Sequence, residues 1–219
     1  MTKKAFIFDL DGVIVDTAKY HFSAWQKIAS ELGIEFTPEH NEKLKGVSRI
    51  RSLDIILELG KIQASQEDKN KWLVQKNEDY LSYLINMNFS EILPGVVPIL
   101  QFLKDNNQGI ALGSASKNAR PILEKTGIIS YFDAIVDGND VTNAKPDPEV
   151  FLQAAKLLNT SNENSIVFED SVAGIQAANS AKMISVGIGE ETVLHEAKYI
   201  FKDFTYMDTS FIEALLNKE

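Results

Sequence analysis

The amino-acid sequence predicts an α/β protein with a Rossmann-like, doubly wound and mostly parallel sheet, into which an all-helical segment is inserted. Three features of the 219-residue chain support this prediction. An apolar, aromatic-rich run, Ala5-Phe6-Ile7-Phe8, opens the chain; a long stretch with helical patterning follows; and beyond Pro94 short apolar runs alternate with helical ones. Alternating strands and helices give a parallel sheet with helices on both of its faces.

The first apolar run ends at two carboxylates, Asp9 and Asp11, which are followed by Gly12, a residue that readily permits a tight turn. In open α/β sheets the ligand crevice lies beyond the carboxyl ends of the strands. One carboxylate there can attack a phosphoryl group, and the second can exchange the proton of the leaving or attacking hydroxyl. A plain turn after a strand is the alternative interpretation of the same short motif.

A helical segment follows this turn. Apolar residues recur at helical spacing from residue 18 to 32, and Gly33 fits the end of that helix. Helical patterns then continue to about Phe89 without a convincing strand. The apolar faces of these later helices are expected to contain Leu53, Ile56, Leu57, Trp72, Tyr80, Leu81 and Leu84. An insert of this length predicts a second, smaller domain.

Pro94-Gly95-Val96 marks the return of the chain to the sheet. The expected strands cover residues 110–113, 134–136, 165–168 and 184–187, and the expected helices cover residues 117–125, 148–158 and 172–180. Because each connection runs from strand to helix to parallel strand, the carboxyl ends of the strands should meet at one edge of the sheet.

Polar residues follow two of these strands closely. The stretch Gly113-Ser114-Ala115-Ser116-Lys117-Asn118 links a strand to a helix, so that Ser114 and backbone N–H groups can face an anion at the helix N-terminus. Ordinary helix capping is the alternative. In the stretch Lys145-Pro146-Asp147-Pro148 a lysine comes just before a helix that a proline is expected to start, and a solvated lysine beside the start of that helix is the alternative.

Two adjacent carboxylates, Glu169 and Asp170, end another apolar strand. Either Asp170 or Ser171 can simply cap the helix that follows. Two acids beside Asp9 would repel each other, however, unless a hard cation lay among them, and Mg²⁺ favours carboxylate oxygens. The sequence therefore predicts a magnesium site at this edge.

The chain resembles the haloacid dehalogenase superfamily of phosphatases and phosphomutases. The resemblance rests on four motifs in this order: Asp-x-Asp-Gly, the strand-end serine, the Lys-Pro pair and the Glu-Asp pair. The resemblance covers nearly the whole chain. It implies that Asp9 is the nucleophile, that Asp11 is the general acid and base, and that Ser114 and Lys145 hold the transferring phosphoryl group. The magnesium ligands that it implies are Asp9, the backbone carbonyl of Asp11, Glu169 and Asp170. The helical insert, residues 16–91, then corresponds to a cap domain, and residues 1–15 and 92–219 form the core domain.

Within this superfamily the chain resembles the β-phosphoglucomutases. The segments that carry the likeness are Asp16-Thr17 with His21 and Trp25, Lys45-Gly46-Val47-Ser48-Arg49, Ser52-Leu53, Lys76-Asn77 and Ser114-Ala115-Ser116-Lys117-Asn118. The resemblance implies that the substrate and its phosphates contact Thr17, His21, Trp25, Lys45, Gly46, Val47, Ser48, Arg49, Lys76, Ser114, Ala115, Ser116, Lys117, Asn118 and Lys145. It also implies that Arg49 holds the phosphate that is not reacting, a task that suits the planar guanidinium. Without the resemblance, residues 46–49 are a loop and an N-cap before a helix at 51–59, with Arg49 solvated, and His21 is a polar residue on a half-buried helix face.

Composition excludes several classes of function. A net charge of -9 and a sequence pI near 4.9 argue against a nucleic-acid partner, which usually requires a basic surface. The lack of cysteine excludes disulfides, thiolate zinc sites and a cysteine nucleophile, and the three histidines follow no metal-binding pattern. With no signal-peptide pattern and no apolar run of membrane-spanning length, we expect a cytoplasmic protein without a membrane partner.

The resemblance implies a Mg²⁺-dependent mutase, an isomerase that interconverts β-D-glucose 1-phosphate and glucose 6-phosphate. We expect it to be a monomer, although the sequence does not give the oligomeric state. The reaction would pass through an aspartyl-phosphate enzyme and β-glucose 1,6-bisphosphate, with a sugar phosphate as the small-molecule partner. A sugar-phosphate phosphatase, in which water hydrolyses the phosphoenzyme, is one alternative. A regulatory module that binds a sugar phosphate without turning it over is another, although the presence of every catalytic residue type counts against it.

Overall fold

The computed structural model describes residues 3–217, so that residues 1, 2, 218 and 219 of the expected core domain lie outside the described residues. Its sheet has six parallel strands in the order β3-β2-β1-β4-β5-β6. The strands are β1 (Ala5–Phe8), β2 (Gly109–Gly113), β3 (Ala134–Val136), β4 (Ser165–Glu169), β5 (Ile184–Ile188) and β6 (Tyr199–Phe201). The predicted parallel sheet is confirmed, with β1 at its centre.

Helices cover both faces of this sheet. The helices are α1 (Ala18–Glu31), α2 (Pro38–Glu42), α3 (Arg49–Leu59), α4 (Gln66–Tyr83), α5 (Val96–Asp105), α6 (Ala119–Thr126), α7 (Glu149–Leu157), α8 (Val172–Ser180) and α9 (Thr209–Leu216). Alternate residues of a strand point to opposite faces, so Phe6 and Phe8 pack with α5, α6 and α9, whereas Ala5 and Ile7 pack with α7 and α8. The sheet is therefore doubly wound.

Helices α1 to α4 form the predicted helical insert and have an apolar cluster of their own. This cluster contains Trp25, Ile28, Leu53, Ile56 and Leu57, which the helical spacing places on facing sides of α1 and α3. The C-terminal end of α4 belongs elsewhere, because Tyr80 and Leu84 pack with the apolar residues beside the sheet. The insert is thus joined to the sheet by packing as well as by the chain.

Several local expectations differ from the structure. Leu81 was expected on a buried face but is 40% exposed, because it lies one position past Tyr80 and turns away from the packed side of α4. Pro148 is the N-cap residue of α7 rather than its first helical residue. Strand β6 was not expected, since three half-buried residues at a sheet edge leave little periodicity to detect.

Within the described part of the chain, none of the helices combines the length and the apolar character needed to cross a bilayer.

Candidate active site

The polar strand ends meet around one cavity of about 490 Å³. Phe8 is paired in register with Leu112 of β2 on one side and with Phe168 of β4 on the other. The residues that follow these three positions therefore lie side by side at the carboxyl edge of the sheet. The helical insert covers this edge and supplies the opposite wall, so the cavity lies between the sheet and the insert. Its volume is in the usual range for small-ligand sites, about 300–1,000 Å³.

Asp9 and Lys145 form a buried ion pair at the base of the cavity. The Lys145 Nζ atom donates to Asp9 Oδ1 at 2.6 Å and to Glu169 Oε1 at 2.5 Å. The lysine side chain is fully buried and lies over the Phe151 ring, 4.8 Å from its centroid. The alternative interpretation of Lys145 as a solvated surface lysine is therefore wrong.

The charges in this cluster do not balance. Burial raises the pKa of Asp9 well above its ordinary value; Lys145 opposes this, and the carboxylates of Glu169, Asp11 and Asp170 raise it further. Burial acts to lower the pKa of Lys145, but Asp9 and Glu169 outweigh it and hold the lysine charged. One buried ammonium group thus faces several carboxylates, and the site lacks positive charge.

Asp9, Glu169 and Asp170 fit a magnesium ion. Each offers one carboxylate oxygen, and these three oxygens lie within 4.8 Å of one another. Burial and the neighbouring Glu169 raise the pKa of Asp170 to about 7, against the opposing charge of Lys45, which indicates that the carboxylates repel one another without a further cation. Hard oxygen donors at one point are what Mg²⁺ requires. The Asp11 side chain is not part of this group.

Two glycines allow the acidic residues to approach so closely. Gly12 has φ +80°, and a Cβ atom there would overlap the Asp170 carboxylate. At Gly174, in the first turn of α8, a Cβ atom would overlap the carboxylate of Glu169. A side chain at either position would therefore push apart the residues that fit the metal.

Glu169 is held by the chain that follows it. Its Oε2 atom accepts hydrogen bonds from the backbone N–H and the hydroxyl of Ser171, at 2.9 and 2.8 Å. The Ser171 oxygen also accepts from the Gly174 N–H, so Ser171 caps α8. The capping alternative therefore applies to Ser171, and Asp170 is left to face the cavity.

Asp11 points away from the acidic cluster toward α1. Its Oδ1 atom accepts a hydrogen bond from the Thr17 hydroxyl, and the Nε2 atom of His21 lies 3.7 Å from the same oxygen. The other ring nitrogen of His21, Nδ1, lies 2.8 Å from the Lys76 Nζ atom. An ionised carboxylate only accepts and an ammonium only donates, so these contacts assign the hydrogen of a neutral His21 to Nε2.

Burial shapes the protonation of these groups. It acts to raise the pKa of Asp11, but His21 and Thr17 outweigh it, and the pKa is lowered. Burial and then the charge of Lys76 lower the pKa of His21, against the pull of Asp11. Burial, followed by the nearby charge of Arg49, lowers the pKa of Lys76 to about 7. Asp11 therefore lies next to a neutral imidazole that can donate a hydrogen bond to it.

The loop between β2 and α6 faces the cavity with its serines turned into it. The Ser114 hydroxyl accepts from the Ser116 N–H at 3.1 Å, and the Ser116 hydroxyl accepts from the Asn118 N–H at 3.3 Å. Asn118 occupies the N-cap position of α6 without a side-chain cap and instead donates to Asn77 Oδ1 on α4 at 3.1 Å. The capping alternative does not describe Asn118, which ties the loop to the insert.

The insert contributes cations to the opposite wall. The Lys45 Nζ atom lies 3.3 Å from Asp170 Oδ2 and 3.0 Å from Glu42 Oε2. Arg49 is the first residue of α3, which Ser48 caps, and its half-buried guanidinium lines the cavity. Among residues 3–217, the Arg49 side chain has no hydrogen-bond or ion-pair partner. A partly desolvated cation without a partner is suited to an anionic ligand.

Nearly all of the residues expected at the site line this cavity. Those present in its wall are Asp9, Asp11, His21, Trp25, Lys45, Gly46, Val47, Ser48, Arg49, Lys76, Ser114, Ala115, Ser116, Lys117, Asn118, Lys145 and Asp170. Thr17 and Glu169 lie behind the wall, where Thr17 bonds to Asp11 and Glu169 bonds to Lys145.

Sequence reasoning missed other parts of the wall. The insert adds Asn41, Leu44, Ile50 and Leu73, and the loop after β3 adds Gly138 and residues 141–144. Ser52, part of one segment that carries the resemblance but not expected as a site residue, also lines the cavity. The loop follows the carboxyl end of a strand, and ligands bind beyond such ends in open α/β sheets, so the position of this loop could have been predicted as well. Asn41 and Leu73 carried no such signal, because they depend on how the insert lies over the sheet.

The chain is similar to known proteins over most of its length. A family model described as haloacid dehalogenase-like hydrolase matches residues 6–188. A β-phosphoglucomutase from Bacillus subtilis is 44% identical over 189 residues, which cover 85% of this chain and 84% of that protein. A phosphorylated carbohydrates phosphatase from Thermotoga maritima is 34% identical over 180 residues, 81% of each chain.

A solved structure gives the same result for the fold. The crystal structure of a β-phosphoglucomutase from Clostridium difficile superposes with a TM-score of 0.93 at 44% identity, and the match covers 99% of this chain and 98% of that one. The sheet order, the helical insert and the family match agree with the motifs at the strand ends. This chain belongs to the haloacid dehalogenase-like hydrolase family.

Proposed function

We propose that this chain is a β-phosphoglucomutase, an isomerase that interconverts β-D-glucose 1-phosphate and glucose 6-phosphate. The proposal rests on a cavity with two separate cationic regions. One is Lys145 beside Asp9 on the sheet, and the other is Arg49 on the insert, which has no partner among the described residues. A mutase passes through a sugar with two phosphates and must hold one while the other reacts. A phosphatase for a sugar monophosphate has no such need.

Asp9 is the nucleophile in this proposal. Its oxygen attacks the phosphorus, the bond from phosphorus to the leaving sugar oxygen breaks, and an aspartyl-phosphate results. Lys145, at 2.6 Å from Asp9, and the Ser114 hydroxyl hold the phosphoryl oxygens and reduce the repulsion between two anions. When bound by Asp9, Glu169, Asp170 and the backbone carbonyl of Asp11, Mg²⁺ supplies the positive charge that the acidic cluster lacks.

Asp11 moves the proton. As a carboxylic acid it protonates the leaving sugar oxygen, and as a carboxylate it takes the proton of the attacking hydroxyl. Transfer from Asp9 to the 6-hydroxyl of β-glucose 1-phosphate gives β-glucose 1,6-bisphosphate. Transfer of the 1-phosphate back to Asp9 then gives glucose 6-phosphate and restores the phosphoenzyme. The Thr17 hydroxyl and His21 hold the Asp11 carboxyl group in place while it alternates between its protonated and ionised forms.

The helical insert acts as a cap in this proposal. Residues 16–91 form the cap domain, and residues 1–15 and 92–219 form the core domain that carries Asp9. Contacts across the cavity, from Lys45 to Asp170 and from Asn118 to Asn77, support closure of the cap over the substrate, which keeps water from the phosphoenzyme. We further propose that the enzyme acts as a cytoplasmic monomer.

Incubation with β-D-glucose 1-phosphate, Mg²⁺ and a trace of β-glucose 1,6-bisphosphate tests the proposal. The expected product is glucose 6-phosphate, measured with a coupled dehydrogenase. Release of inorganic phosphate without glucose 6-phosphate would instead support the phosphatase activity of the Thermotoga relative. If neither product forms, the result supports a regulatory module that binds a sugar phosphate without turning it over.

Replacement of Asp170 tests the metal site. We expect Asp170→Ala to weaken Mg²⁺ binding by more than about 100-fold and to reduce activity with it, because one of three converging carboxylates is lost. The metal-free variant should be at least as stable as the metal-free parent, since like charges are removed and Lys45 keeps Glu42 as a partner at 3.0 Å. Calorimetric Mg²⁺ titration and thermal unfolding in chelator measure both effects. Full activity of the parent protein in chelator would contradict the metal assignment.

The lowered pKa of Lys76 predicts that the activity depends on pH. Its pKa is about 7 in the folded protein, so the free enzyme loses this positive charge as the pH rises through that value. We expect kcat/KM for the anionic substrate to fall above about pH 7, and we expect this fall to be absent in Lys76→Met, whose overall activity is lower. Lys69→Met is the matched control on the same helix, since Lys69 pairs with Asp54 at 2.7 Å outside the cavity. If kcat/KM of Lys76→Met falls in the same way above about pH 7, the fall is caused by a group other than Lys76.

A further inference from the structure

Tyr80 is a buried aromatic residue next to the groups that surround Asp11. It lies one helical turn after Lys76 on α4 and is fully buried. The centroids of the Tyr80 and His21 rings are 4.2 Å apart, with an angle of 30° between the ring planes. The Lys76 Nζ atom lies over the same Tyr80 ring, 4.6 Å from its centroid. The Tyr80 ring therefore contacts both the His21 imidazole and the Lys76 ammonium group, which also contact each other.

The hydroxyl of Tyr80 does not anchor this ring. Within the described residues it makes no hydrogen bond of normal geometry, although it is buried beside the Thr17 hydroxyl. Burial and then the Asp11 carboxylate raise the pKa of Tyr80 well above its ordinary value, so the phenol stays neutral. A neutral phenol contributes no charge, and the Tyr80 hydroxyl makes no well-aligned hydrogen bond that would fix the ring. The side chain therefore acts on its neighbours through the ring.

The contacts of His21 require one orientation of its ring. Nε2 must face Asp11 and Nδ1 must face Lys76, and a rotation of the imidazole would break both contacts at once. The contact with Asp11 does not fix the ring by itself, because the distance from Nε2 to Asp11 Oδ1 is 3.7 Å, beyond a normal hydrogen bond. The Tyr80 face restricts the plane of the imidazole, and its negative π face attracts the Lys76 ammonium to the same place.

We propose that Tyr80 is a positioning residue for Asp11, which acts by holding the His21 ring and the Lys76 ammonium in register with that carboxyl group. This inference rests on the proposed acid–base role of Asp11. The charged and titratable groups that face His21 are Asp11 after β1, Lys76 and Tyr80 on α4, and Arg49 on α3. Of these, only Tyr80 offers a flat apolar surface to the imidazole.

Nitrogen NMR of the histidine rings tests the proposal without reference to activity. The chain has only three histidines, and His40 is an internal standard because its Nδ1 accepts from the Thr37 N–H. At about pH 6.5, where Lys76 with its pKa of about 7 still carries its charge and the lowered pKa of His21 keeps the imidazole neutral, we expect His21 to carry its hydrogen on Nε2 in the parent protein and in Tyr80→Phe. In Tyr80→Leu we expect a mixture of both tautomers. An unchanged His21 tautomer in Tyr80→Leu overturns the proposal.

Kinetics provide the second readout. We expect Tyr80→Leu to lower sugar-phosphate turnover by at least about 30-fold, because proton transfer by a well-placed acid contributes about 10²–10⁴-fold. Phosphorylation of Asp9 by acetyl phosphate should stay within about threefold of the parent rate, since acetate leaves without a proton from Asp11. Tyr80→Phe should retain turnover within about threefold, because the ring is kept. A loss in Tyr80→Phe equal to that in Tyr80→Leu would assign the effect to the hydroxyl and overturn the proposal.

Phe36→Leu controls for the loss of an aromatic ring from the insert. Phe36 is buried and stacks on Phe22, with ring centroids 5.8 Å apart, away from the cavity. Because its ring also lies 6.1 Å from that of His40, the His21 signals of this variant are compared with those of the parent protein and not with His40. We expect this variant to lose stability but to keep the His21 tautomer and the turnover of the parent. If Tyr80→Leu lowers the phosphorylation of Asp9 and the turnover of the sugar phosphate equally, its effect is structural and the proposal fails. A parent protein that releases phosphate instead of glucose 6-phosphate contradicts the proposed function, while the tautomer measurement still tests Tyr80.

Discussion

Asp9→Asn is expected to lower turnover by at least about 10⁴-fold, since the side-chain amide cannot form the covalent phosphoenzyme. The fold should persist because the two side chains have nearly the same volume and Lys145 retains Glu169 at 2.5 Å as a partner. Mass spectrometry after incubation with acetyl phosphate should detect a phosphorylated aspartate in the parent protein and none in the variant. Circular dichroism and thermal unfolding check that the variant is folded.

Asp133→Asn is the matched control for this substitution. Asp133 lies before β3, at the opposite edge of the sheet from the cavity, and accepts a hydrogen bond from the Ile110 N–H at 3.0 Å. Its amide variant should be phosphorylated and should turn over like the parent protein. Turnover of Asp9→Asn near the parental rate, or phosphorylation of a different residue, would remove Asp9 from the mechanism.

Arg49→Ala is expected to weaken the handling of β-glucose 1,6-bisphosphate by roughly 10- to 100-fold in kcat/KM, the usual contribution of hydrogen bonds to a charged group. Phosphorylation of Asp9 by acetyl phosphate should change little, because that donor has no second phosphate. Arg49→Lys should also be impaired, since an ammonium group cannot grip a phosphate with two parallel hydrogen bonds. Separate measurement of the two half-reactions by rapid quench tests this prediction.

Arg51→Ala is the matched control on the same helix. Arg51 is exposed and pairs with Glu58 at 2.7 Å, away from the cavity, so its loss should leave both half-reactions unchanged. The parent reaction, started without bisphosphate or another phosphoryl donor, should show a lag that added bisphosphate abolishes. Equal losses in both half-reactions of Arg49→Ala would assign Arg49 to folding or to cap closure.

Much of the fold could be predicted because the strands are short apolar runs bounded by polar residues. Strand β1 is apolar on both faces, as expected for a central parallel strand, and helical spacing identified α1 and α3. Strand β6 could not be predicted, since its residues are only half-buried and pair on one side. Leu81 shows the same limit, because spacing does not reveal which of two adjacent apolar residues faces the sheet.

The part of the site on the sheet could be predicted better than the part on the insert. Asp9, Ser114 and Glu169 directly follow apolar runs, and parallel strands bring such positions together. No pattern in the sequence reveals that Asn41 and Leu73 face the cavity or that Tyr80 contacts His21. These contacts arise from the packing of the insert against the sheet, which single-sequence periodicity does not encode.

In the proposed mechanism, Asp9 carries a phosphoryl group to a sugar and not to water. The most direct test of this mechanism phosphorylates the enzyme with labelled acetyl phosphate, removes the excess donor, and adds unlabelled β-D-glucose 1-phosphate with Mg²⁺. We expect the label to leave Asp9 at the rate of turnover and to be recovered first in β-glucose 1,6-bisphosphate and then at the 6-position of glucose 6-phosphate. Recovery of the label as inorganic phosphate, at a rate that the sugar phosphate does not change, would contradict this mechanism.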